Sequence, residues 1–226
     1  METGLKPVIT GDGSPTLFSQ RFNEIYHSRH GAVAESRHVF FKNGLNTLSL
    51  NTIKIFEVGF GTGLNALLAW EFSRLNDVQI FYTGIELFPL QHDLLGYLDY
   101  EKHIAMQPEE TKQILNEMHI KPPGQFHEFS PKFSLKKIHD DWLSWKAQDD
   151  LFDIVFFDAF APLAQQEMWS VQSFIKTHHV LKKDGILVTY CSKGQVRRNM
   201  MEAGFKVEKL PGPPGKREML RARKIA

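Results

Sequence analysis

Short apolar runs bounded by glycine, proline and charged residues recur from about residue 53 onward, and most are separated by segments of helical spacing. The pattern predicts a strand over 53–59, a helix over 64–76 and a strand over 79–86. Residues 89–122 have helical character but are too long for one crossover helix, so an insertion of two or three helices is expected there. Further strands are predicted at 125–129, 133–138, 152–158, 184–191, 205–210 and 217–223, with helices over 165–181 and 194–203. Lys183-Asp184-Gly185 marks a tight turn, and Ala203-Gly204 a helix stop. No helical segment separates the last two strands, which predicts an antiparallel hairpin. The first 50 residues differ. Thr10 to Thr16 is turn-rich, Phe18, Phe22, Ile25 and Tyr26 recur at near-helical spacing, and 34–41 with 45–50 could form a small hairpin or lid. Regular strand–helix alternation means an α/β fold, here read as one domain over 1–226 with an N-terminal extension (1–50) and a helical insertion (89–122).

One junction carries chemistry. The strand Ile55 to Val58 runs into Gly59, Gly61 and Gly63, and a helical segment starts at once. A glycine-rich turn between strand and helix brings backbone close to a nucleotide-like ligand. A dinucleotide site needs G-x-G-x-x-G, whereas Leu64 stands where that third glycine belongs. The run is instead E-x-G-x-G-x-G from Glu57, which resembles the form found in S-adenosylmethionine (SAM) methyltransferases, where no pyrophosphate is cradled. Glu86 closes the next apolar strand, where an acid can accept hydrogen bonds from a ribose diol.

Composition narrows the class. The 226 residues are 42% hydrophobic and 23% charged, ordinary for a globular domain that can bury a full core. No apolar run approaches the roughly 20 residues of a membrane span, and the N-terminus has neither a basic nor an apolar signal region. A single cysteine, Cys191, excludes an intrachain disulfide and fits a reducing cytoplasm. The net charge of +1 hides an asymmetry. Residues 182–226 hold 12 Lys/Arg against 4 Asp/Glu, while 1–181 hold 15 against 22, so the C-terminal fifth could present a positive face to a polyanion. The histidines offer no metal site: His27, His30 and His38 lack a tight ligand pattern, and His178-His179 point to different helix faces.

Further motifs extend the resemblance. Phe152 to Pro162 reads FDIVFFDAFAP and leads to Glu167-Met168-Trp169; Ser192-Lys193-Gly194-Gln195-Val196-Arg197-Arg198 precedes Ala203-Gly204-Phe205 and Gly215 to Leu220. With Tyr26-His27-Ser28, Glu35 to Phe40 and the glycine run, these motifs resemble the methyltransferase domain of the MnmC family, from about Phe18 to Arg223 and in the family's order. The resemblance implies a class I SAM-dependent methyltransferase fold: Rossmann-like, with a mostly parallel seven-stranded sheet ending in an antiparallel hairpin. It also implies N-methylation of 5-aminomethyl(-2-thio)uridine at the tRNA wobble position, in the cytoplasm, with tRNA as partner and no obligate protein partner or membrane. Family members often carry an FAD-dependent oxidase domain that makes the amine. This chain ends at Ala226 without one, so no FAD is expected and the amine would come from elsewhere. The chain departs from the family at Leu163-Ala164-Gln165-Gln166, which lacks an expected lysine, and at the proline-rich Pro211 to Pro214.

Residue by residue, Gly59, Gly61 and Gly63 would let backbone pass close to the methionine moiety, Glu57 would orient the ligand's amino group, and Glu86 would bind the ribose hydroxyls. Asp141, preferred to Asp140 on family register, would accept the adenine amino group; Trp142 is beside the base or in the core. Asp158 ends an apolar strand at the edge where α/β folds bind ligands, and a carboxylate there can take the proton of an attacking amine. Phe160 and Pro162 would shape the pocket, and Trp169 either stacks on a flipped uridine or belongs to the core. Lys193, Arg197 and Arg198, with Lys216 and Arg217, suit phosphate contacts. Other readings are a small-molecule amine methyltransferase or aminopropyltransferase-like enzyme, which needs a closed pocket, and a non-catalytic SAM-binding RNA module, against which the intact glycine run and Asp158 argue.

Overall fold

The computed structural model describes residues 4–225. The N-terminal part begins with a small antiparallel sheet in the order β1 (Leu5–Ile9), β2 (Pro15–Ser19), β3 (Glu24–Ile25). The near-helical spacing of Phe18 to Tyr26 therefore belongs to a strand, a turn and a strand. Pairing with β1 on one side and β3 on the other decides it, with Leu17 fully buried between them. The expected hairpin over 34–50 is helical instead: α1 (Ala32–Ser36) runs into a π-helical turn (Arg37–Lys42), followed by a 3-10 turn (Leu45–Thr47). Val33, Val39, Phe40 and Phe41 are all buried, and only helical coiling brings those positions to one face.

The remaining elements are β4 (Thr52–Val58), α2 (Leu64–Asn76), β5 (Gln79–Glu86), α3 (Pro108–Ile120), β6 (Phe126–Ser130), β7 (Phe133–His139), β8 (Phe152–Phe157), α4 (Val171–Val180), β9 (Leu181–Thr189), α5 (Gly194–Glu202), β10 (Phe205–Pro211) and β11 (Glu218–Lys224). The strands form one sheet in the order β10-β11-β9-β8-β4-β5-β7-β6. It has the eight strands that the apolar runs predict, one more than the seven that the resemblance implies, because β6 folds back antiparallel on β7 and adds an edge. The five central strands are parallel, and β11 pairs antiparallel with both β9 and β10. A parallel strand covered on both faces should read as one apolar run, and every residue of β8 is buried. Between β5 and α3 lie two 3-10 turns, His92–Tyr97 and Glu101–His103. The helix expected over 165–181 is interrupted. A 3-10 turn (Gln166–Trp169) ends at Ser170, whose hydroxyl caps α4 by accepting from Ser173 N at 3.3 Å.

The order of crossovers locates the site. From β4 the chain proceeds outward to β5 and β7, then returns to lay β8 on the other side of β4. Ligands of open α/β sheets sit in the crevice at such a switch point, outside the carboxyl ends of the strands. Val58 and Phe157 are paired at the ends of β4 and β8, so Gly59 and Asp158 stand side by side there.

The π-helical turn is integral to the core. Phe40 is 1% exposed and its ring centroid lies 5.0 Å from that of Phe156. Phe40→Ala should lower unfolding free energy by roughly 3–5 kcal/mol in urea titration. A loss near zero would mean that this segment is a detachable cover.

Candidate active site

Crowding at the end of β4 sets the geometry. Gly59 has φ +91°, and a Cβ there would stand 2.7 Å from the carbonyl oxygen of Asp158. The N–H groups of Gly59 and Phe60 both donate to Ile85 O of β5, at 3.1 and 3.2 Å, while Asp158 N donates to Val58 O at 3.0 Å. Gly63 starts α2 at φ +75° without any side-chain cap, but it does not line the cleft: a Cβ there would meet the His119 ring at 3.0 Å and Phe60 at 3.3 Å.

Around this turn a cleft opens, with walls from the ends of β5, β7 and β8. The Glu86 carboxylate is held by Gly61 N (2.9 Å) and Phe88 N (2.8 Å), which orients it as an acceptor for hydroxyl donors. Asp140 and Asp141 both line the cleft; Asp140 accepts from Asp141 N and Asp141 from Leu143 N. Trp142 is 2% exposed with its indole N–H on Ser173 Oγ, a core residue that forms the base of the wall. Over the mouth, Phe22 stacks on Phe160 with centroids 4.6 Å apart, and Tyr26 meets the same ring edge-on at 4.9 Å.

Asp158 lies at the centre. Burial pushes its carboxyl up to about 7, and the charge of Glu35 adds to the rise. A hydrogen bond from Asn65 Nδ2 at 2.9 Å and the ammonium of Lys216 act in the opposite direction. A carboxyl with that poise can take a proton from an ammonium at neutral pH.

The structure alters three expectations about individual residues. Glu57 does not line the cleft: it is 1% exposed behind the wall, and Asn65 Nδ2, donating to it at 2.8 Å, stands between it and the cleft. Burial holds the Glu57 carboxyl well above the usual range. Trp169 is no base platform; it is 2% exposed, and its indole N–H donates to Phe160 O at 2.7 Å, which props the aromatic mouth from beneath. Lys216 pairs with Glu35 and lies 3.9 Å over the Tyr190 ring, so its ammonium is already committed. The basic C-terminal fifth is also less free than its composition suggests. Lys182, Lys209, Lys216, Arg221 and Lys224 are ion-paired with Asp153, Glu218, Glu35, Glu208 and Asp150.

Lys193 precedes α5, with Arg197 and Arg198 in its first turns; Lys193, Arg198 and Arg217 are exposed and Arg197 half-buried, and none of the four lines the cleft. Pro162 is half-buried in a turn closed by Ala164 N and Gln165 N on Ala161 O. Sequence reasoning missed Asn65, Phe22 and Phe88 as cleft residues. Asn65 had a readable signal: it is the lone polar residue in the opening Leu64 to Trp70 of a buried helix. Among the described residues no group of three or more His, Cys, Asp or Glu could hold a metal ion, and no helix is long and apolar enough to cross a membrane.

Residues 108–225 match the model of a family described as S-adenosyl-L-methionine-dependent methyltransferase. The chain belongs to this family. Its cofactor is SAM, and the cleft fits that group: a backbone that excludes Cβ at Gly59, and an oriented acid at Glu86. Among curated relatives, the tRNA 5-methylaminomethyl-2-thiouridine biosynthesis bifunctional protein MnmC of Methylobacillus flagellatus is 31% identical over 92% of this chain. Its namesake in Pseudomonas aeruginosa is 33% identical over the same share. The chain spans about a third of the length of these relatives, 33% of each. Among solved structures, MnmC2 from Aquifex aeolicus superposes with TM-score 0.77 at 23% identity, covering 100% of this chain and 71% of that one. Spermidine synthase from Thermotoga maritima gives 0.58 at 9% identity, covering 98% and 72%. These two likenesses establish a shared fold.

The raised Asp158 carboxyl has a thermodynamic signature. The unfolded chain releases this proton near 4 and the native protein near 7, so the native state binds more protons between and loses stability as pH rises through that window. Asp158→Asn should be level with wild type near pH 4 and more stable by up to about 4 kcal/mol at pH 8 in urea titrations. A difference independent of pH would contradict the raised carboxyl.

Proposed function

We propose that this chain transfers methyl from SAM to the primary amine of 5-aminomethyluridine, or its 2-thio form, at the tRNA wobble position. The observation that carries the reading is Asp158, a half-buried carboxyl poised near neutrality at the carboxyl end of β8, in the same cleft as the glycine turn. The relatives' name supports the substrate. Their product bears a methylamino group, and a SAM-dependent domain is suited to add that methyl to an aminomethyl precursor.

The cofactor supplies an electrophilic methyl on a sulfonium centre. Glu86 would hold the sugar hydroxyls, Asp141 the exocyclic amine of the base, and Gly59, Gly61 and Gly63 would give backbone access. An aliphatic ammonium titrates near 10, as lysine does, so the substrate arrives protonated and must lose a proton before its nitrogen can attack. Asp158 would accept that proton, freeing the nitrogen lone pair for the methyl that the cofactor would supply as it leaves as a thioether, and the proton would then leave through the cleft mouth. Phe160, Phe22 and Tyr26 surround the entering amine with ring faces that exclude water and favour positive charge. Positioning of amine and methyl supplies much of the rate.

Lys193, Arg197, Arg198 and Arg217 serve as phosphate contacts, sequence-independent and salt-sensitive. Lys216 is removed from that set by its pairing with Glu35. The reading treats 1–226 as one methyltransferase domain whose first 50 residues cover the cleft, acting on tRNA in the cytoplasm.

Labelled methyl from SAM should appear on tRNA bearing 5-aminomethyluridine and not on unmodified transcript. Label on neither, with SAM binding intact, would defeat the substrate assignment. Turnover should show an acid limb near pH 7, from the carboxyl poised at about 7, and Asp158→Ala should lower it by roughly 10²–10⁴ while sparing SAM affinity. Reversing charge at Arg197 and Arg198 should reduce the salt slope of tRNA binding by about two; an unchanged slope would remove α5 from the interface.

A further inference from the structure

Asn65 is an anomaly by its environment. It is 2% exposed at the start of α2, flanked by Leu64 and by Ala66, Leu67, Leu68 and Ala69, all buried. A buried amide is costly unless its hydrogen bonds are made. Both protons of its nitrogen are used: one reaches Glu57 Oε1 at 2.8 Å, the other Asp158 Oδ2 at 2.9 Å. The side chain thus bridges carboxyl groups carried by two adjacent parallel strands, one within β4 and one just past the end of β8. Asn65 Oδ1 and Glu57 Oε2 are buried with no hydrogen-bond partner, so the bridge is built on the nitrogen alone.

We propose that Asn65 is the positioning residue for Asp158, tying down one carboxylate oxygen so that the other faces the cleft. The inference rests on the reading of Asp158 as the base. An amide NH2 donates in two directions, but its delocalised nitrogen lone pair accepts nothing, so no proton passes through it. Loss of the donor removes a contact that favours the ionised carboxylate.

The other titratable groups around Asp158 are Glu57 and Tyr82 from β4 and β5, Glu35 from α1, Lys216 from the β10–β11 turn, and Tyr190 after β9. A change at Asn65 leaves them all in place. Asn65→Leu keeps the approximate shape and removes both donors.

The test needs no RNA. Carboxyl carbons of 13C-labelled aspartate are titrated by NMR, with Asp158 assigned by its loss in Asp158→Asn. In Asn65→Leu the Asp158 midpoint should rise by at least about one unit, a tenfold change in acidity. An unmoved midpoint overturns the proposal. Should the leucine variant fail to fold, wild type decides: the two side-chain amide protons of Asn65 must shift with pH through the Asp158 midpoint, and flat shifts would overturn the bridge. Because these readouts are independent of substrate, failure of tRNA methylation would sink the functional reading and leave this one standing.

Discussion

Three strand ends converge on the backbone of Gly59. Its own N–H is spent on β5, its Cα faces the carbonyl of Asp158, and Asp158 N–H is spent on Val58. A side chain at this point would push β8 away from β4 and with it the carboxylate that the site is built around. Because φ is +91°, an L-residue would also be strained there whatever space it found. The turn, the start of α2 and the cleft floor all follow from that close approach. It is also why the switch point of the sheet, a topological feature, becomes a chemical one.

Around that fixed floor the electrostatics are a balance of opposed effects. Asp158 and Glu35 repel, Lys216 neutralises Glu35, and Asn65 draws Asp158 back toward ionisation. Glu57, one layer deeper, is held above the usual carboxylate range by burial, so the second acid near Asp158 favours its neutral form. The result is a single carboxyl that changes charge near neutrality at the mouth of the cleft. This poise costs stability above pH 4, in the way that catalytic sites commonly do. The aromatic cover contributes the desolvation: Phe160 is propped by Trp169 and stacked by Phe22. A tryptophan that touches no ligand thereby shapes one that can.

The legible part of the chain was its long-range order. Every core strand announced itself as an apolar run, and the switch to helical spacing after Gly63 marked the site. What periodicity could not reach were places where tertiary pairing overrides local spacing. Phe18 to Tyr26 read as helical, yet edge pairing with β1 made part of it a strand. Ala34 to Phe41 read as a hairpin, yet burial against Phe156 wound it up. At the site, residue type identified the acids and glycines, but not which of them face the ligand. Glu57 and Trp169 have the right chemistry on the wrong side of the wall, and Lys216 is a cation already paired across 181 residues of sequence. Such assignments depend on side-chain partners distant in the chain, which no local pattern encodes.

The most direct test of this account is a crystal structure with S-adenosylhomocysteine bound. The account predicts ribose hydroxyls on the Glu86 carboxylate, the adenine beside Asp141, and the sulfur directed toward Asp158 under the Phe160 ring. A ligand with its sulfur turned away from Asp158, or seated outside the glycine turn, would contradict the central claim that one carboxyl and one backbone crowding define the reaction site.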